Sequence, residues 1–219
     1  MKLLLTSNGL SNNSIAKALF ELVGKSPEET TLVFIPTASN VVVGDKGWLI
    51  NDLMNIKKQN FKSIEITDIS SVDETIWKPS LERADILFFE GGDTYHLMRW
   101  LNQSGIAKLL PQLLEDKVYV GVSAGSMVTN PDLSLKLSQI VYEEDMTETQ
   151  ELEGLDFVDF YFLPHLNSSY FPKMRKEIIE TVAQKIERTI YALDDHSALK
   201  IIDGNIEIMS EGEYLVIKK

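Results

Sequence analysis

The run Lys117-Val118-Tyr119-Val120-Gly121-Val122-Ser123-Ala124-Gly125-Ser126-Met127-Val128 constrains this chain more than any other stretch. Its apolar, β-branched first half reads as a buried strand, and the small residues after Ser123 read as a helix start, so a sharp turn falls at the serine. Glycines two positions to either side of Ser123 remove the Cβ atoms that would obstruct such a turn. This is the local pattern of a nucleophile elbow: a hydroxyl leaves the carboxyl end of a strand beside N–H groups that the first helical turn leaves without acceptors. A Gly-x-Ser-x-Gly pentapeptide also occurs in βα turns that carry no chemistry, so the rest of the chain has to decide its meaning.

The remaining pattern alternates. Short apolar runs at 2–6, 31–36, 63–69 and 84–90 read as strands, and helical spacing at 15–22, 49–56, 97–101 and 106–114 falls between them. Strands that alternate with helices imply right-handed βαβ crossovers, hence an α/β fold with a parallel sheet between helical layers. Loops at the carboxyl ends of such strands are where these sheets place ligands, which directs attention to Pro36-Thr37-Ala38-Ser39-Asn40, to Gly91-Gly92-Asp93-Thr94 and to Ser123. Residues 129–156 are polar and contain the acidic run Glu143-Glu144-Asp145, so an excursion over the sheet edge is expected there. Beyond it, 157–163 and 189–193 read as strands, 171–187 as a helix, and 198–202, 206–209 and 214–217 as a closing antiparallel meander.

Length and charge narrow the function. One domain over 1–219 is the simplest reading of this length. A formal net charge of −12 opposes nucleic acid and anionic membrane surfaces as partners. The absence of cysteine excludes disulfides, thiolate metal sites and a cysteine nucleophile, so covalent catalysis would use an oxygen or nitrogen nucleophile. No signal-peptide core develops after Met1, and no apolar run is as long as a membrane span, so a cytoplasmic protein is expected. No cofactor fingerprint and no histidine cluster at metal-ligand spacing is present, so neither a cofactor nor a metal is expected.

A serine hydroxyl needs a base at neutral pH, and the chain has three histidines, His96, His165 and His196. His96 lies within an amphipathic helix pattern, where packing is the ordinary role. His165 follows a strand-like run and a proline, at the end where Ser123 emerges if the sheet is parallel. His196 sits beside Asp194 and Asp195 at another strand end, where a capping or surface role is favoured. An acid should orient the base, and Glu143, Glu144 and Asp145 lie between Ser123 and His165, although an acidic run is ordinarily a solvated face. Backbone N–H groups of Ala124 and Gly92 are the natural oxyanion donors.

Taken in order, Gly91-Gly92-Asp93-Thr94, Gly121-Val122-Ser123-Ala124-Gly125 and Leu163-Pro164-His165 resemble the peptidase E and cyanophycinase-related serine peptidases, and most closely the uncharacterised bacterial peptidases of that group. The resemblance extends to Phe34-Ile35-Pro36-Thr37-Ala38-Ser39 and to 155–159. It implies a fold similar to class I glutamine amidotransferases and a Ser-His-acid triad. On the matching motifs Ser123 would be the nucleophile, His165 the general base, and Gly92 and Ala124 the oxyanion donors. For the third member the resemblance points upstream of His165, where spacing favours Glu143, with Asp145 as rival. The chain departs from the family at Asp93, where asparagine is common, and at Asp195-His196, where relatives tend to carry Glu-Gly. The implied activity is hydrolysis of small peptides, aspartyl dipeptides among them, through an acyl-enzyme, with Arg175 or Lys173 as a source of positive charge for an anionic substrate. A homodimer is left open. An esterase or amidase with the same nucleophile, and a non-catalytic binding module on the same fold, are the rival readings.

Overall fold

Unbroken apolar runs in the strands need cover on both faces, and the fold supplies it with two helical layers around a mostly parallel sheet. The computed structural model describes residues 1–133, 140–142 and 153–219. The strands are β1 (Lys2–Thr6), β2 (Thr31–Ile35), β3 (Ser63–Ile66), β4 (Ile86–Phe89), β5 (Val118–Val122), β6 (Tyr161–Leu163), β7 (Ile190–Leu193), β8 (Ser197–Ile202), β9 (Asn205–Ser210) and β10 (Tyr214–Ile217). The larger sheet has seven strands in the order β3-β2-β4-β5-β1-β8-β9. Its first five are parallel, and β8 and β9 add an antiparallel edge. The α/β class with a large, mostly parallel sheet, expected from the alternation, is therefore observed.

The helices are α1 (Asn13–Val23), α2 (Thr37–Asn40), α3 (Gly47–Lys58), α4 (Glu74–Arg83), α5 (Thr94–Gln103), α6 (Ile106–Leu113), α7 (Ala124–Met127) and α8 (Lys176–Ala183). Side chains of successive strand residues point to opposite faces, and the two faces bury different partners. Leu5, Ile35, Phe89 and Tyr119 pack with Leu97 and Leu101 of α5 and Leu110 of α6. Leu4, Phe34, Phe88 and Val120 pack with Leu19 and Leu22 of α1 and Ile56 of α3. Strands buried on both faces are the reason β4 and β5 read as unbroken apolar runs rather than alternating ones.

The carboxyl-terminal part differs from the expected meander. β8 and β9 form the antiparallel hairpin, but β10 leaves it and pairs antiparallel with β7, which in turn pairs parallel with β6 in a second, three-stranded sheet. This small sheet has its own apolar cluster with Leu163, Ile190, Ala192 and Ile179 of α8. The reason lies in the turn at Glu211–Glu213: the Glu213 N–H donates to Asp194 Oδ2 at 2.6 Å, and the Asp194 N–H to the Glu213 carbonyl at 3.1 Å, which directs the chain onto β7 instead of back along β9.

Ser7, the first residue after β1, joins the two sheets. Its Oγ donates to the Leu193 carbonyl at 2.9 Å and accepts from the His165 N–H at 3.2 Å. The carboxyl ends of β1, β4 and β5 in one sheet and of β6 and β7 in the other thus meet along one seam.

Candidate active site

Ser123 sits on the turn between β5 and α7 at φ 48°, ψ −106°, a backbone region that residues other than glycine rarely adopt. The flanking glycines are steric requirements. A Cβ on Gly121 would come within 2.6 Å of Gly125 and Ser126 backbone atoms, and one on Gly125 would strike the Phe89 carbonyl. Hydrogen bonds hold the turn: the Ser123 N–H donates to the Thr6 carbonyl at 2.9 Å, Ser126 Oγ donates to the same carbonyl at 2.9 Å, and Tyr119 Oη donates to the Gly125 carbonyl at 2.6 Å. Complete burial of that phenol keeps it protonated, well above its ordinary range.

His165 follows β6 at φ 68°. Its Nε2 lies 2.9 Å from Ser123 Oγ, and its Nδ1 lies 2.6 Å from Asp195 Oδ1. The ring is packed flat against Phe171, with centroids 4.8 Å apart and planes 20° from parallel. His165 is 16% exposed and Asp195 35%, so the line of three groups runs from a sheltered interior toward solvent. A proton on Nδ1, shared with the carboxylate, leaves Nε2 with a lone pair for the hydroxyl proton.

The expected residues divide clearly. Ser123 and His165 are brought together. Glu143, Glu144 and Asp145 lie outside the described residues, and the place at Nδ1 that Glu143 was expected to fill is occupied by Asp195. Its neighbour Asp194 faces away from the ring and caps the following turn, its Oδ1 accepting from the His196 N–H at 3.0 Å and Ser197 Oγ at 2.6 Å. Asp195 carries no signal in the sequence for this role; the strand register of the folded chain places it. Leu163 is paired with Ala192 across the parallel β6–β7 ladder, so residues just beyond each strand emerge side by side. His196 is exposed, and His96 packs against Trp100 with centroids 6.3 Å apart.

The Gly91-Gly92 loop flanks the serine. A Cβ on Gly91 would lie 3.2 Å from Ser123 Cβ, and one on Gly92, which has φ 132°, would strike the Ala38 carbonyl. The Asp93 N–H donates to that same carbonyl at 3.0 Å, and Asp93 Oδ1 accepts from the His96 N–H at 2.7 Å as the cap of α5. The carboxylate that replaces the common asparagine is therefore engaged away from the serine. Ala124 is the first residue of α7, so its N–H has no acceptor within that helix.

Arg175, considered from sequence as a source of positive charge, is tied to its own loop through one nitrogen. Its Nη1 donates to the carbonyls of Ser168, Phe171 and Met174 at 3.1, 3.2 and 2.9 Å, clamping the loop that carries Phe171 against His165. Among the described residues no cluster of three or more His, Asp or Glu side chains suits a metal ion. No helix is long and apolar enough to cross a membrane among them.

Comparison with known proteins bears on the family and the fold. The family model for Peptidase family S51 matches residues 3–209. An uncharacterized peptidase of Pasteurella multocida is 27% identical over 188 residues, covering 81% of this chain and 87% of that protein. One from Listeria monocytogenes is 29% identical over 182 residues, covering 78% and 82%. A peptidase E of Shewanella denitrificans is 27% identical over 174 residues, covering 78% and 68%. Among solved structures, a peptidase from an acI-B1 actinobacterium superposes with a TM-score of 0.67 at 16% identity, covering 99% and 93% of the two chains. A Listeria monocytogenes structure superposes with a TM-score of 0.78 at 24% identity, covering 96% and 98%.

Proposed function

This chain belongs to peptidase family S51 and is a serine-type peptidase, and from that premise we propose that it hydrolyses small peptides through an acyl-enzyme formed on Ser123. The observation that carries the reading is the continuous line Ser123–His165–Asp195, with links of 2.9 and 2.6 Å. In the first half-reaction Ser123 Oγ attacks the scissile carbonyl carbon and its proton passes to His165 Nε2. Negative charge develops on the carbonyl oxygen, and the backbone N–H groups of Gly92 and Ala124 are its donors. Collapse breaks the C–N bond, the leaving amine takes the proton from Nε2, and an acyl ester remains on Ser123. Water then attacks that ester with Nε2 again as base, releasing the acid and restoring the hydroxyl. Asp195 keeps the proton on Nδ1 and stabilises the imidazolium formed in each half.

Aspartyl dipeptides are the substrates that family resemblance suggests. Arg175 spends Nη1 on three backbone carbonyls, so recognition of their side-chain carboxylate by this residue would fall to its other nitrogens. A dipeptide panel with N-terminal Asp, Glu, Ala, Leu and Lys therefore belongs beside an active-site label. We expect a small fluorophosphonate to add to Ser123 in the wild type and not in Ser123→Ala, with hydrolysis of at least one dipeptide. Labelling without any peptide hydrolysis would favour an esterase or amidase. No labelling of the folded protein between pH 6 and 9 would leave a binding module.

A further inference from the structure

The segment between β6 and α8, residues 164–175, carries His165 in a conformation that its own backbone does not favour. His165 has φ 68° and Asn167 φ 62°, a left-handed region that residues with side chains adopt only at a cost. Contacts from beyond the local backbone must therefore hold it. One of them is an aromatic ring that takes no part in the proton transfers. The half-buried Phe171 lies flat on the His165 imidazole, with centroids 4.8 Å apart and planes 20° from parallel.

Phe171 is itself held from other sides. Tyr142 meets it edge-on, with centroids 5.4 Å apart and planes at 88°, and Tyr142 Oη donates at 3.0 Å to the carbonyl of Pro164, the residue directly before His165. The Phe171 carbonyl accepts from the Met174 N–H at 3.0 Å and from Arg175 Nη1 at 3.2 Å. The Asn167 N–H donates to the Met174 carbonyl at 2.8 Å and closes the loop on which Phe171 sits. A circuit of contacts thus runs from His165 to Phe171, on to Tyr142, and back to Pro164.

The imidazole is bonded at both nitrogens, Nε2 to Ser123 Oγ at 2.9 Å and Nδ1 to Asp195 Oδ1 at 2.6 Å. Two bonds in the plane of the ring still permit a tilt about the line that joins them, and a flat partner on one face resists that tilt. The face of a phenyl ring is also its negative side, so it attracts the imidazole more strongly once the latter is charged. That charge exists only while the Ser123 proton resides on Nε2. The added attraction therefore belongs to the transition state rather than to substrate binding, and it raises kcat without lowering KM.

We propose that Phe171 is a positioning residue for hydrolysis, fixing the plane of the His165 ring and stabilising, through its π face, the imidazolium formed in each half-reaction. Arg175 acts one step further back, since Nη1 pins the carbonyl of Phe171 together with those of Ser168 and Met174.

This inference rests on the Ser123–His165–Asp195 reading, and its test separates the two. Phe171→Leu keeps apolar bulk and removes the π face, whereas Phe171→Tyr keeps both. In dipeptide hydrolysis Phe171→Leu should lower kcat about three- to thirtyfold with KM nearly unchanged, and the fluorophosphonate labelling rate of Ser123, which depends on no particular peptide, should fall in parallel. Phe171→Tyr should recover most of that loss. In proton NMR of the folded protein, the ring protons of His165, assigned by comparison with His96→Gln and His196→Gln, should move downfield in Phe171→Leu as the shielding by the phenyl face is lost, and return in Phe171→Tyr. If circular dichroism and Tm show that Phe171→Leu does not fold, Phe171→Met makes the same comparison. Wild-type kcat and labelling in the folded variant, or equal losses in the Leu and Tyr variants, overturn the role of the π face. Ring protons that stay in place in Phe171→Leu overturn the stack. A ring-proton shift without any labelling of Ser123 in the wild type overturns the triad reading, and with it the part given to Phe171 in hydrolysis.

Discussion

His165 Nδ1 and Asp195 Oδ1 lie 2.6 Å apart, one just past β6 and the other just past β7, so the parallel ladder of the smaller sheet sets their contact. This fixes the imidazole at both ends, since Nε2 lies 2.9 Å from Ser123 Oγ.

Asp195→Asn should reduce kcat by on the order of 10²–10⁴-fold with a small change in KM, because an amide can hold Nδ1 in the wrong tautomer and gives the imidazolium no charge. Asp195→Glu should retain more activity than Asp195→Asn, since the charge is kept and the 35% exposure of the site leaves room for a longer side chain. Steady-state kinetics on the best dipeptide decides both. A wild-type rate in Asp195→Asn would remove Asp195 from the mechanism.

Gly125→Ala should destabilise the protein by about 3 kcal/mol or more, because the added methyl meets the Phe89 carbonyl and cannot relax without moving β4 from β5. Chemical denaturation measures this. Gly24→Ala is the control for a surface position: nothing lies within 4 Å of its Cβ, although its φ of 73° still carries a smaller backbone cost.

Ser7→Ala removes one hydroxyl that serves both sheets, donating to the Leu193 carbonyl and accepting from the His165 N–H. The expected loss is about 1–3 kcal/mol of stability, together with a fall in fluorophosphonate labelling rate, since the His165 backbone loses its tether. Unchanged labelling would show that Phe171 and Arg175 hold the loop unaided.

Asp52 gives stability a pH dependence of known sign. Its folded-state value, raised by burial from 3.8 to about 6, lies above the unfolded one, so its contribution is present below pH 4 and is lost as pH rises through 6. Asp52→Asn should therefore gain stability relative to wild type at pH 7.5 compared with pH 4, by on the order of 1–3 kcal/mol. A difference of the opposite sign in urea melts at the two pH values would contradict it.

Asp68 works in the other direction. Burial tends to raise it, but hydrogen bonds from the Ser70 backbone and side chain, Ser71 and Asn40 prevail and hold it at about 2. It also accepts from Thr37 Oγ1 at 2.8 Å, which anchors the segment whose Ala38 carbonyl abuts Gly92. Its contribution is present above pH 4 and lost as pH falls toward 2. Asp68→Ala should lower stability at pH 7 by roughly 1 kcal/mol, reduced by the partial exposure of the group, and the gap from wild type should close at pH 2.

The parts of this molecule that were readable from sequence are those in which neighbours along the chain are also neighbours in space. Residues 117–128 specify strand, turn and helix among themselves, and Gly121 and Gly125 show in the sequence the close approaches they permit. Asp195 was not readable as the partner of His165, because that contact depends on β6 and β7 leaving the large sheet for a small one of their own. The same departure moved β10 off the hairpin end. The burial of Asp52 and Glu90 was hidden for another reason: an acid within a helical pattern and an acid at a strand end each have an ordinary surface explanation, whereas these two are 3% and 0% exposed.

The seam bridged by Ser7 has a consequence for how the protein comes to life on the ribosome. Once β5 and α7 have emerged, the large sheet can cradle an alcohol that is chemically inert. The ring that would arm it arrives later, on a separate slab, and the acid behind that ring later still. On the proposed Ser123–His165–Asp195 mechanism, reactivity would be withheld from every incomplete form of the chain and would arise only at final docking of the two sheets.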